Sequence, residues 1–98
     1  MVDETDELKI NIRPSFLFPQ NHEASIITPA YQALKIAEEA GELCAEVYKT
    51  PDNPTAICRE AWDVIQAAEG LLRNYSDVYW KNAFQDVLDR CNKRGDYE

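Results

Sequence analysis

Apolar positions recur at three- and four-residue spacing through three stretches of the chain, and that period belongs to the α-helix. The first stretch carries Ala33, Ile36, Ala37, Ala40, Leu43, Cys44 and Val47. Thr28 and Pro29 precede it: a side-chain acceptor, then a residue with no N–H to satisfy, which is helix-start chemistry. The spacing predicts a helix capped by Thr28 and running to about Tyr48. The run Thr50-Pro51-Asp52-Asn53-Pro54 reads as a turn, with Asn53 and Pro54 repeating the start signal. Ile57, Ala61, Val64, Ile65, Ala68, Leu71 and Leu72 give the second helix its apolar face, ending near Asn74. Ser76 caps a third, in which Trp80, Phe84, Val87, Leu88 and Cys91 recur until Gly95, a residue suited to ending a helix.

The chain ahead of these helices is different. Residues 1–7 are acidic and expected to fray. Leu8, Ile10 and Ile12 alternate with polar residues, as in a short strand or an extended arm. Pro14 and Pro19 exclude a long helix over the next stretch, while Phe16, Leu17, Phe18, Ile26 and Ile27 argue against a free tail. The expected organisation is an extended arm over residues 1–27 and an all-α domain over 28–98, a bundle of about three helices. A chain of 98 residues is near the lower limit for burying its own core. Oligomerisation, as a dimer or tetramer, is therefore expected to complete the core.

Charge narrows the partners. Eighteen acidic against 10 basic residues give a formal net charge of −8. That opposes binding to polymeric nucleic acid or to an anionic membrane, since both reward a basic surface. No apolar run approaches the ~20 residues of a membrane span. Cys44, Cys58 and Cys91 are odd in number, widely spaced and unaccompanied by a zinc pattern. They read as free thiols of a cytoplasmic protein, Cys44 and Cys91 serving as small apolar side chains.

Two short acidic motifs carry the candidate chemistry. Glu38-Glu39-Ala40-Gly41-Glu42 sets Glu39 and Glu42 one turn apart on the first helix, and Glu60-Ala61-Trp62-Asp63 repeats the arrangement on the second. Both pairs are expected beside the apolar stripe of their helix. A short turn makes the two helices an antiparallel hairpin, so the pairs can face each other. Converging carboxylates repel one another and titrate as a group unless a cation relieves them. Hard oxygen donors suit Mg²⁺, or Mn²⁺, which keep waters and accept phosphate oxygens. Gly41 costs about 1 kcal/mol relative to alanine inside a helix, which suggests close approach of another group or tight helix packing there.

The motifs E-E-A-G-E at 38–42 and E-A-W-D at 60–63 resemble those of the MazG-like, all-α nucleoside triphosphate pyrophosphohydrolases. The segments YQALKIAEEAGELCAEVYK and REAWDVIQAAEGLLRN are similar to family segments as well. The likeness spans roughly residues 30–95 and leaves the arm uncovered. It implies Mg²⁺ ligation by Glu39, Glu42, Glu60 and Asp63, with Glu38 holding or activating the attacking water. It further implies hydrolysis of a nucleoside triphosphate to the monophosphate and pyrophosphate, in a dimer or tetramer. Lys93 or Arg94, near the end of the third helix, would bind phosphates; the macrodipole also favours cations there. Lys35 either reaches a phosphate or pairs with Glu39, and Arg73 is expected to cap the second helix. Phe16, Phe18 and Tyr31 would line a base pocket if the arm folds over the site, whereas Trp62 is expected to pack on a neighbouring helix or subunit. Two other functions stay open: a phosphoribosyl-ATP pyrophosphohydrolase-like enzyme, and a non-catalytic helical interaction module. An acidic mimic of nucleic acid fits less well, because the carboxylates gather in facing pairs.

Overall fold

The computed structural model describes residues 14–20 and 28–97. Among them every regular element is an α-helix: α1 Pro29–Lys49, α2 Pro54–Leu72 and α3 Asp77–Lys93. The alternating run Leu8 to Ile12, and most of the arm expected over 1–27, lie outside the described residues. No described helix is long and apolar enough to cross a membrane.

Each helix starts where its capping chemistry dictates. The Thr28 hydroxyl accepts from the Tyr31 N–H at 3.2 Å, the Asn53 side chain from the Ala56 N–H at 3.1 Å, and Ser76 from the Val78 N–H at 3.4 Å. Proline occupies the first turn of both α1 and α2, where its missing donor costs nothing. α3 ends in a Schellman motif. Gly95 adopts φ of 75°, its N–H donates to the Asn92 carbonyl at 3.0 Å, and the Asp96 N–H donates to the Cys91 carbonyl at 3.0 Å.

Two compact units divide the described residues: Phe16–Tyr75, which holds α1 and α2, and residues 76–97 with 14–15, which hold α3. In the first, α1 and α2 form an antiparallel hairpin closed by Thr50 to Asn53, whose Asn53 N–H donates to the Thr50 carbonyl at 3.0 Å. The withdrawn positions of α1 are Gln32, Ile36, Glu39, Leu43, Glu46 and Thr50, with Ala40 alongside. They alternate steps of four and three, the seam of a coiled-coil-like pair. The expected stripe is therefore rotated. Ala33, Ala37, Cys44 and Val47 are exposed, and Glu39 and Glu46 stand in the seam rather than beside it. On α2, Ile57, Glu60, Val64, Ala67 and Leu71 line the facing side, whereas Ile65 and Leu72 are exposed. At the open end the Asn74 amide donates to Gln32 Oε1, and a methyl added at Gly70 would meet Gln32 Nε2 at 3.5 Å. Gln32 is buried there because Asn74, just past the end of α2, supplies its partner and Gly70 within α2 leaves the room beside it.

The segment Phe16-Leu17-Phe18 lies on the outer side of α2. Glu69, only 8% exposed, accepts the Leu17 N–H at 2.9 Å on one oxygen and the Phe18 N–H at 3.0 Å on the other. The Arg73 guanidinium donates to the Phe18 carbonyl and sits 4.4 Å above the Phe16 ring. Phe18 in turn meets Trp62 edge-on, with ring centroids 5.9 Å apart. Arg73 does end α2, but through its backbone N–H; its side chain holds this segment instead of capping the helix.

In the second unit Leu88 is buried, Trp80, Phe84 and Cys91 are half-buried, and Val87 points to solvent despite its place in the expected stripe. No side chain among the described residues is completely removed from solvent.

Candidate metal centre

Glu39 and Glu42 project from consecutive turns of α1, and Glu60 projects from α2 across the seam. One carboxylate oxygen of each lies within 4.8 Å of the others. Glu39 is withdrawn, its side chain 14% exposed, Glu60 is half-buried and Glu42 is open to solvent. The Oε2 atom of Glu60 is shut away from solvent with no hydrogen-bond donor. A charged acceptor in that position costs about 1–3 kcal/mol or more. A cation shared with Glu39 and Glu42 would remove the cost. The donor set consists of carboxylate oxygens alone, which suits a hard divalent ion such as Mg²⁺ or Mn²⁺. The residues fit the group that the motifs suggested.

The electrostatics agree. The Glu42 carboxyl is held above its ordinary value, first by the charge of Glu39, then by a hydrogen bond with that carboxyl, by partial burial and by the charges of Glu60 and Glu38. Lys35 is raised, mainly by Glu38 and less by Glu39. Its Nζ stands 3.7 Å from Glu38 Oε1 and 3.5 Å from Glu39 Oε1. Of the two alternatives open for Lys35, pairing with Glu39 is thus realised.

Of the other candidates, Glu38 is exposed at the rim of the cluster. Asp63, half-buried one turn beyond Glu60, is not within the three-carboxylate group. Lys93 and Arg94 belong to the second unit, where Arg94 binds Asp96 Oδ2 at 2.7 Å and contacts the Cys91 sulfur at 3.2 Å. Cys44, Cys58 and Cys91 are free thiols. Cys44 is exposed and Cys91 faces a guanidinium, so neither is a purely apolar filler.

Two expectations find no counterpart among the described residues. Gly41 is exposed, and among the described residues a methyl added to it would meet nothing within 4 Å. Among the described residues no other group approaches it, because the seam runs along the opposite side of α1. Among the described residues, Phe16 and Phe18 do not join Tyr31 in one pocket either. Phe16 is under Arg73, Phe18 is against Trp62, and Tyr31 is exposed. At 100° per residue Trp62 is turned about 200° from Glu60, so the aromatic pair is on the far side of α2. Trp62 also borders an open groove of about 420 Å³ with Pro54, Thr55, Cys58 and Arg59, again on that outer side.

Sequence reasoning missed Glu69, and Gln32 with it. The only signal was a single acid within Ala67-Ala68-Glu69-Gly70-Leu71, a run otherwise fit for burial. A charge there needs donors, and the donors come from backbone far away in the chain.

No protein family, no curated protein and no solved structure matches this chain.

Proposed function

We propose that the α1–α2 hairpin is the catalytic centre of a Mg²⁺-dependent nucleoside triphosphate pyrophosphohydrolase. One observation carries the reading: three carboxylates from two helices converge within 4.8 Å, and one of their oxygens is buried without a donor. The resemblance of E-E-A-G-E and E-A-W-D to the MazG-like motifs supplies the reaction. When bound, Mg²⁺ or Mn²⁺ neutralises charge building on phosphate oxygens and makes a water acidic enough to attack near neutral pH.

The chain's own residues do the rest. Glu39, Glu42 and Glu60 hold the ion, and Asp63 extends the donor set along α2. Glu38, exposed beside them, orients the attacking water and takes its proton on a carboxylate oxygen. Lys35, which pairs with Glu38 and Glu39, is the cation proposed for the phosphates, and the resemblance implies Lys93 or Arg94 as a further one. Arg94 is the weaker choice, since Asp96 already engages its guanidinium. The α-phosphorus is attacked, the bond to the bridging oxygen breaks, and monophosphate and pyrophosphate leave.

A homo-oligomer belongs to this proposal. Leu34, Ala37, Gly41, Ala45 and Tyr48 share the outer face of α1, and all are exposed, Leu34 at 71% and Tyr48 at 88%. Leu34 and Tyr48 stand about two turns on either side of Gly41. The stripe is thus self-complementary in an antiparallel pair of α1 helices, as a two-fold interface requires.

The test is to incubate the chain with Mg²⁺ and each ribo- and deoxyribonucleoside triphosphate, with phosphoribosyl-ATP in the panel, and to identify the products. Monophosphate and pyrophosphate are expected. Release of orthophosphate alone, or no turnover of any member, defeats the assignment. Preference for phosphoribosyl-ATP would transfer it to the histidine-pathway type of enzyme. Sedimentation of the same sample should give a mass above one chain.

A further inference from the structure

Lys35 is one turn ahead of the carboxylates, with Nζ in ion-pair contact with both Glu39 and Glu38. Helix stability does not account for this order. A lysine placed four residues before a glutamate is the weaker of the two orientations, because it opposes the helix dipole. Solvent geometry is more informative. Glu39 is mostly withdrawn while Lys35 is exposed, so the ammonium reaches the cluster from its open side. Among the described residues it is the cation in ion-pair contact with a member of the three-carboxylate group, and that member is Glu39, which projects into the seam. A divalent ion held by Glu39, Glu42 and Glu60 needs a lone pair from that same Glu39 carboxylate, and its double charge repels an ammonium nearby.

We infer that Lys35 is a resident counter-ion that metal displaces and phosphate then captures. It shields Glu39 in the metal-free protein. Divalent binding takes over Glu39 and expels the ammonium, which the flexible four-carbon stem leaves free to swing toward solvent. There, about one helical turn ahead of Glu39, it would be a cation within reach of a phosphate oxygen. The inference rests on the metal-centre reading above and adds an order of events: the cation that opposes metal binding afterwards favours the polyphosphate. Lys35 is therefore a positioning residue with opposite effects on two ligands, which a plain surface ion pair would not have.

Calorimetry tests this on the full chain with Mn²⁺ alone, and then with inorganic pyrophosphate in the presence of Mg²⁺. Lys35→Gln should bind Mn²⁺ roughly two- to fivefold more tightly, the range set by losing one competing exposed pair. It should bind pyrophosphate about tenfold more weakly, having lost one charge-assisted contact. Lys35→Arg should stay close to the parent in both. Parent-like or weaker Mn²⁺ binding by Lys35→Gln, with the parent binding well, overturns the inference and leaves the metal centre standing. Unchanged pyrophosphate affinity overturns it too. Absence of Mn²⁺ binding by parent and variants alike sinks the metal-centre reading and this inference with it.

Discussion

Glu60 and Glu69 are on one helix, about two and a half turns apart, and both draw a carboxylate away from water. Their surroundings are opposite. Both oxygens of Glu69 receive backbone N–H groups, and Arg73 one turn on completes the contact by binding the same segment's carbonyl. Glu60 faces two other acids, and one of its oxygens receives nothing. A buried charge whose hydrogen bonds are complete explains itself as architecture. A buried carboxylate set among like charges is one that a cation would relieve. The two positions therefore differ: Glu69 ties residues 16–18 to α2, and Glu60 stands in the carboxylate cluster proposed as the metal site.

The largest expected effect is on turnover. Glu60→Gln or Glu39→Gln should lower Mg²⁺-dependent hydrolysis by about 100-fold or more, since several kcal/mol of charge stabilisation depend on the ion. Turnover at parental rates in both variants would place the chemistry elsewhere. Next comes Glu69→Ala, expected to cost about 3 kcal/mol in urea unfolding, because two charge-accepted hydrogen bonds disappear and Arg73 loses its neighbour. Its Mn²⁺ affinity in calorimetry should stay parental. A variant equally stable to the parent would mean that the segment 16–18 contributes little to holding the hairpin.

Smaller effects concern the metal-free protein. Glu60→Gln should raise its stability by about 1 kcal/mol, the reverse of the Glu69 result, because a repelled and undonated oxygen is removed. Loss of stability there would make Glu60 an architectural residue like Glu69. The last prediction is a pH profile. The folded state raises Glu42 above its ordinary value of 4.5, so it favours the protonated form. Its stabilising contribution is full below about pH 4 and is lost as pH rises through the higher folded value. Thermal melts without metal should thus fall with rising pH relative to Glu42→Gln, and saturating Mg²⁺, which favours the carboxylate, should flatten that difference. A difference unaffected by Mg²⁺ would separate Glu42 from the ion.

The helices were legible from the chain because their causes are local. Thr28, Asn53 and Ser76 cap from within three residues, and the apolar recurrence reports helical period wherever the helix is later placed. The acids were legible as pairs for the same reason, one helical turn being fixed geometry. Which side of each helix packs was not. The stripe of Ala33, Ala37, Cys44 and Val47 faces out, whereas Gln32, Glu39 and Glu46 are drawn into the seam. That rotation depends on how two helices interlock, and small residues such as alanine and cysteine gain too little from burial to dictate it. The Glu69 carboxylate is the clearest case of a decision left to tertiary structure. Its donors are the N–H groups of Leu17 and Phe18, more than fifty positions earlier, and only folding brings that backbone alongside an acid that would otherwise be too costly to bury.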